Sequence, residues 1–106
     1  MPQHVFFARR AAEDLLEIKS FIAARDGEVR AEGVAARIMR TLNRLAFMPS
    51  AGRVRPDLLG SPHTFLVQSW RVFYRPRTQL DGILVIRIID TRRDLDAILR
   101  KKRRPR

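Results

Sequence analysis

Residues 64–90 read TFLVQSWRVFYRPRTQLDGILVIRIID, and this stretch decides the fold. Its second half, GILVIRIID from Gly82 to Asp90, is a near-continuous β-branched and aliphatic run around one arginine. A run apolar on both faces belongs inside a sheet, so it is expected to sit centrally. The first half, TFLVQSWRVFYRP, alternates around Trp70, Val72 and Tyr74, which is the period of a half-buried strand. RPRTQLDG lies between them as a hairpin turn, with Asp81 and Gly82 at its end.

Upstream the period changes. QHVFFA is short, aromatic and β-prone, a brief first strand. From Arg9 the apolar residues Ala11, Leu15, Ile18 and Ile22 recur at helical spacing, and Gly27 supplies a natural stop. A second helix carries Val34, Ile38, Leu42 and Leu45 as its stripe, with Pro49 beyond its end and Arg30, Arg37, Arg40 and Arg44 as a basic flank. The short link between the helices implies an antiparallel hairpin. PSAGRVRPDLLGSP is rich in turn formers and leaves room for one short strand, Val54 to Leu58, before Gly60 and Pro62.

At the far end, Asp90 or Thr91 can cap a last helix whose apolar face is Leu95, Ile98 and Leu99. It runs into RKKRRPR, in which six of seven residues are basic. The expected order is β-α-α-β-β-β-α. This is an α+β fold with an antiparallel sheet, a helical hairpin on one face and a short C-terminal helix. Residues 1–99 read as a single domain and 100–106 as a basic tail.

The bulk numbers restrict the function. The chain has 106 residues, room for one core. A net charge of +11 exceeds what solubility needs and points to an acidic partner: nucleic acid, an acidic protein segment or an anionic membrane surface. The plain alternative is a solvated basic surface. There is no cysteine, hence no disulfide, thiol nucleophile or thiolate metal site. His4 and His63 lack metal-ligand spacing, so no metal and no cofactor are expected. No apolar stretch approaches the roughly 18 residues of a membrane span, and no signal peptide is apparent, so a cytoplasmic protein is expected.

Four segments in order, AAEDLLEI (11–18), LNRLAFMPSAGRVRPDL (42–58), WRVFYRP (70–76) and ILVIRIIDTRRDL (83–95), resemble the ParE branch of the RelE/ParE toxin superfamily. The resemblance implies the toxin of a type II toxin–antitoxin system. It also implies neutralisation by a ParD-like antitoxin, whose acidic amphipathic C-terminal segment crosses the hairpin and the sheet edge. The superfamily holds two activities. RelE-like members cut mRNA in the ribosome, using cations for the phosphate and a tyrosine, histidine or glutamate for the proton. ParE-like members poison DNA gyrase by protein contact.

The arginines permit the first activity only in part. Arg53 and Arg55, Arg71, and Arg92 or Arg93 match the basic positions of the nucleases approximately, and a nuclease would use Arg53, Arg71 and Arg93. The proton carrier is missing where the resemblance would place it, since residues 94–99 read DLDAIL. Asp94 and Asp96, with ordinary carboxylate pKa values of about 3.9, are weak bases at neutral pH. Tyr74 sits in a middle strand, where an aromatic serves packing, and His63 reads as a loop histidine on the surface.

Arg71 and Arg87, inside strands, suit either partner contact or an ion pair with Asp57, Asp90 or Asp94. The reading is therefore a gyrase-directed, non-enzymatic toxin. Arg53, Arg55, Arg71, Arg92 and Arg93 are its cationic contacts to antitoxin or target, and Phe21, Met39, Phe47 and Met48 are apolar residues for the antitoxin to cover. The tail RKKRRPR reads by default as a solvated charge run, with DNA near gyrase or an acidic antitoxin segment as its alternative contacts. Two readings compete: a ribosome-dependent mRNA endonuclease, and a plain nucleic-acid-binding module of the same fold.

Overall fold

The computed structural model describes residues 4–77 and 82–91. Strand β1 (His4–Phe7) leads into helix α1 (Arg9–Asp26), and helix α2 (Glu28–Phe47) follows after one residue. That residue is Gly27, whose φ of 97° lets it end the first helix and begin the second. The two helices fold back on each other, with Lys19 reaching Glu32 at 3.3 Å across the pair. The α2 stripe is buried as expected: Val34, Ile38, Leu42 and Leu45 all face the core. On α1, Ala11 and Ile22 are buried and Leu15 and Ile18 half-buried against the same cluster.

A 3-10 turn at Pro49–Ala51 connects α2 to the remaining strands: β2 (Arg53–Val54), β3 (His63–Val67), β4 (Trp70–Pro76) and β5 (Gly82–Asp90). The sheet order is β1-β5-β4-β3-β2. GILVIRIID is thus interior, flanked on both sides, although β4 takes the middle place. Val67, Val72, Tyr74, Ile83, Val85 and Ile88 meet the helices and form the main core. Leu58, Phe73 and Ile89 form a second, smaller cluster. Each of these fully buried aliphatic or aromatic side chains contributes about 1.5–3 kcal/mol of burial, so the sheet–hairpin interface dominates stability.

Four details differ from the sequence reading. The stretch TFLVQSWRVFYRP is a hairpin of two strands, turning at Gln68 and Ser69 with Gln68 at φ 55°, because this polar pair interrupts the alternation. His63, expected in the preceding loop, is the first residue of β3. The short strand is Arg53–Val54 rather than Val54–Leu58. Pro56 has no N–H to donate to a ladder, and the Leu58 amide turns back to the Arg55 carbonyl at 3.2 Å. Last, the sheet is mixed. β2 to β5 pair antiparallel as expected, but β1 joins β5 in parallel.

The β1–β5 pairing needs glycine at position 82. Gly82 lies opposite His4 with φ 129°, and a Cβ there would run into the His4 carbonyl. The expected last helix, its capping residues beyond Thr91, and the basic tail lie outside the described residues, as does most of the turn before β5.

Candidate partner-binding surface

β1 covers β5 only as far as Phe7, opposite Val85; the chain then leaves the sheet to begin α1. A bulge at Ile86 follows, since Phe73 pairs with Arg87 and Tyr74 with Val85. The uncovered β5 edge beyond it is closed by a side chain from α1. Asp14 accepts from Arg87 Nε at 2.8 Å, from Arg87 Nη2 at 3.0 Å and from the Ile88 amide at 2.9 Å. Arg87 is therefore ion-paired with Asp14, a partner that the sequence reading, which weighed Asp57, Asp90, Asp94 or contact with another molecule, did not consider. The signal was present in AAEDLLEI. Asp14 is three residues after Ala11 and four before Ile18, on the buried stripe, and a carboxylate there requires a cation.

Tyr74 is fully buried. Its hydroxyl donates to the Pro49 carbonyl at 2.6 Å and accepts from the Gly52 amide at 2.9 Å, tying the α2–β2 connection to the middle strand. Burial pushes the phenol above its usual pKa of 10.0, against the smaller opposing pull of the Gly52 amide. Gly52 is required here: a Cβ would collide with the Tyr74 hydroxyl and lie 2.8 Å from the Thr64 carbonyl. His63 packs its ring against Tyr74, centroids 5.3 Å apart, with Nδ1 buried and without a hydrogen-bond partner among the described residues. His4 is exposed and tilts against Phe6.

Three of the expected cationic residues converge. Arg53, Arg55 and Arg71 line one cleft with Ala51, Thr64, Phe65 and Leu66. The register places Arg53 opposite Thr64 and Arg71 opposite Leu66, on the sheet face away from Tyr74. Arg55 is held by Asp57, at 2.9 Å through Nε and 2.7 Å through Nη2. Among the described residues, Arg71 makes a weak contact, Nη1 to the Thr64 hydroxyl at 3.5 Å. Among the described residues, neither Arg53 nor Arg71 has a carboxylate within ion-pair distance. Arg92 and Arg93 lie outside the described residues.

The apolar candidates are dispersed. Phe47 and Met48 stand exposed at the end of α2, at 69% and 61%. Phe21 is exposed on α1 with the Arg25 guanidinium 5.1 Å from its ring centroid. Met39 differs from expectation. It is half-buried against the main core, and so is not free surface in this state.

The sequence reading missed a further cleft of about 500 Å3 between the hairpin and the end of the sheet, where Ile18, Phe21, Ile22 and Trp70 meet Glu17, Asp26 and Asp90. Its walls come from four elements, so no local pattern announces it. Among the described residues, no helix is long and apolar enough to cross a membrane.

Comparison with known proteins fits this architecture. Residues 5–95 match the family described as ParE toxin of type II toxin-antitoxin system, parDE. Toxin ParE3 of Caulobacter vibrioides is 34% identical over 100 residues, spanning 92% of this chain and 96% of that protein. Two solved structures share the fold. A chain of the chromosomal ParDE system from P. aeruginosa superposes with a TM-score of 0.69 at 20% identity, covering 83% of this chain and 95% of the other. A chain of the toxin-antitoxin complex RelBE2 from Mycobacterium tuberculosis superposes with a TM-score of 0.60 at 18% identity, covering 85% and 99%. With a family match over most of its length, the chain belongs to the ParE toxins of type II toxin–antitoxin systems.

Proposed function

We propose that this toxin stops replication by contacting DNA gyrase, that it is not itself an enzyme, and that a cognate antitoxin neutralises it. The observation that carries the non-enzymatic reading is the separation of Tyr74 from the arginines. The cleft of Arg53, Arg55 and Arg71 lies on one face of the sheet; the tyrosine is buried in the other, with both hydrogen bonds of its hydroxyl in use. Cutting RNA needs a positioned proton carrier as well as cations, and the described lining of the cleft offers guanidinia, one threonine and apolar groups.

The antitoxin reading rests on Arg53 and Arg71, cationic without carboxylate partners among the described residues, and on the exposed Phe21, Phe47 and Met48. It is supported by the two solved relatives, a chromosomal ParDE system and the toxin-antitoxin complex RelBE2. An acidic, amphipathic segment fits both features: carboxylates on the arginines, apolar anchors on the phenylalanines.

One observation favours a second reading, an mRNA endonuclease. Arg53 and Arg71, two of the three cations such an enzyme would use, do share one cleft. A two-armed assay with the purified toxin separates the readings. Gyrase should accumulate broken plasmid in one tube, while mRNA on translating ribosomes stays intact in the other; the reverse outcome removes the gyrase reading.

A further inference from the structure

Three arginines of the basic flank of α2, Arg37, Arg40 and Arg44, line neither of the clefts above. Carboxylates are unevenly placed along the chain: six of eleven lie between Glu13 and Glu32, and none from Gly33 to Pro56, where five arginines stand. Three of these, Arg37, Arg40 and Arg44, are exposed and follow one another at helical spacing along one flank of α2. Among the described residues none of the three pairs with a carboxylate. The backbone beneath them is fixed, because Ile38, Leu42 and Leu45 on the far side of the helix are buried, as is Thr41 beside the row.

We infer that this row binds the phosphate backbone of duplex DNA. The choice over an acidic peptide turns on magnitude. An exposed arginine–carboxylate pair is worth roughly 0–1 kcal/mol, so a peptide needs apolar anchors to stay. On the helix between Arg37 and Arg44 the exposed residues are Arg40 and Asn43, the turn before holds Gly33 and Ala36, and Phe47 comes after the row; beside the helix, the described lining of the adjoining cleft adds one exposed apolar side chain, Leu66. On a polyanion each arginine displaces a condensed counterion, and three in a row add without any apolar contact.

The small exposed residues Gly33 and Ala36 before the row allow a backbone to approach closely there. No exposed aromatic lies within the row to stack unpaired bases, which disfavours a single strand. The Thr41 hydroxyl is buried and donates to the Arg37 carbonyl at 3.2 Å, so it is not offered to a 2′-hydroxyl. The track does not end at α2. The cleft beside the row shares Phe65 and Leu66 with the cleft of Arg53 and Arg71, so the cationic surface continues round the edge of β3.

The test is fluorescence anisotropy of the full chain with a labelled duplex of random sequence over a series of salt concentrations. Two triple variants are compared: R37Q/R40Q/R44Q, and the charge-matched R9Q/R10Q/R25Q on α1. Circular dichroism checks that both are folded. The α2 variant should lose roughly tenfold or more in affinity, and its log–log salt slope should fall by about two to three, at about 0.9 per phosphate contact. The α1 variant should keep the wild-type slope to within about one contact.

Equal losses in the two variants would mean that net charge alone is responsible, and would overturn the proposal. So would an α2 variant that binds as wild type, duplex RNA bound as tightly as DNA, or polyglutamate competing as well as unlabelled duplex at equal charge. The assay contains neither gyrase nor antitoxin, so its failure leaves the toxin reading to its own test.

Discussion

Asp14 on α1 and Arg87 on β5, separated by 73 residues in sequence, form a buried two-bonded ion pair whose carboxylate also caps the Ile88 amide. One side chain thus performs the work of the missing continuation of β1. It neutralises the cation, satisfies the next amide on the β5 edge and fixes where α1 leaves the sheet.

Asp14→Ala should cost about 3–5 kcal/mol, because it leaves a buried guanidinium unpaired and an amide unsatisfied. Replacing both partners, Asp14→Leu with Arg87→Met, should recover most of this. A residue of about 1–3 kcal/mol should remain for the Ile88 amide, which neither leucine nor methionine can satisfy. Urea unfolding of the two variants beside wild type measures the difference; a fully restored double variant would mean that the amide finds another acceptor.

Tyr74→Phe should destabilise by about 1–3 kcal/mol through the stranded Pro49 carbonyl and Gly52 amide. The sign of its pH dependence follows from burial. The folded pKa is raised, so stability from this group is fully present below about 10, where an unfolded tyrosine begins to ionise, and is lost as pH rises toward the folded value. Unfolding between neutral pH and about 11 should therefore show a steeper alkaline loss for wild type than for the variant. At a temperature where the variant is folded, it should arrest growth as wild type does. Loss of toxicity in a folded variant would restore a catalytic role to the tyrosine.

Much of this fold is legible in the sequence, and the failures share a cause. The stripes of α1 and α2, the Gly27 stop and the interior strand GILVIRIID follow from local periodicity, which the structure leaves intact. Asp14 as the partner of Arg87, the parallel docking of β1 and the cleft beside Trp70 depend on which elements meet in space, and no local spacing encodes that. Met39 shows the converse error. As a flexible apolar residue beside the stripe it reads as available surface, yet it packs onto the main core. For the site, Arg53, Arg55 and Arg71 are each legible as candidate cationic contacts, but their shared cleft and the ion pair that engages Arg55 with its near neighbour Asp57 depend on the tertiary fold.

Arg53→Ala and Arg71→Ala should weaken antitoxin binding without changing the stability of the free toxin by more than about 0.5 kcal/mol. A charge-assisted hydrogen bond is worth about 1.5–3 kcal/mol, and 1.4 kcal/mol is tenfold, so each substitution should raise Kd roughly ten- to a hundredfold. Calorimetric titration of the toxin with a peptide of the antitoxin's C-terminal segment checks this. Unchanged affinity in both variants would move the antitoxin's carboxylates elsewhere.

Phe47→Ser tests the apolar half of the same surface. The ring is 69% exposed in the free chain, so its loss should leave the unfolding midpoint nearly unchanged. If the antitoxin covers it, binding should weaken by about 1.5–3 kcal/mol. Equal affinity of variant and wild type would place the antitoxin's anchor at another exposed residue.

The central claim is that this ParE-family toxin acts on gyrase and cuts no RNA. Its most direct measurement is induction of the toxin alone in growing cells, with plasmid supercoiling and the integrity of a reporter mRNA followed in the same samples. Loss of negative supercoiling with full-length mRNA is the expected result. Cleaved mRNA with supercoiling preserved would contradict it.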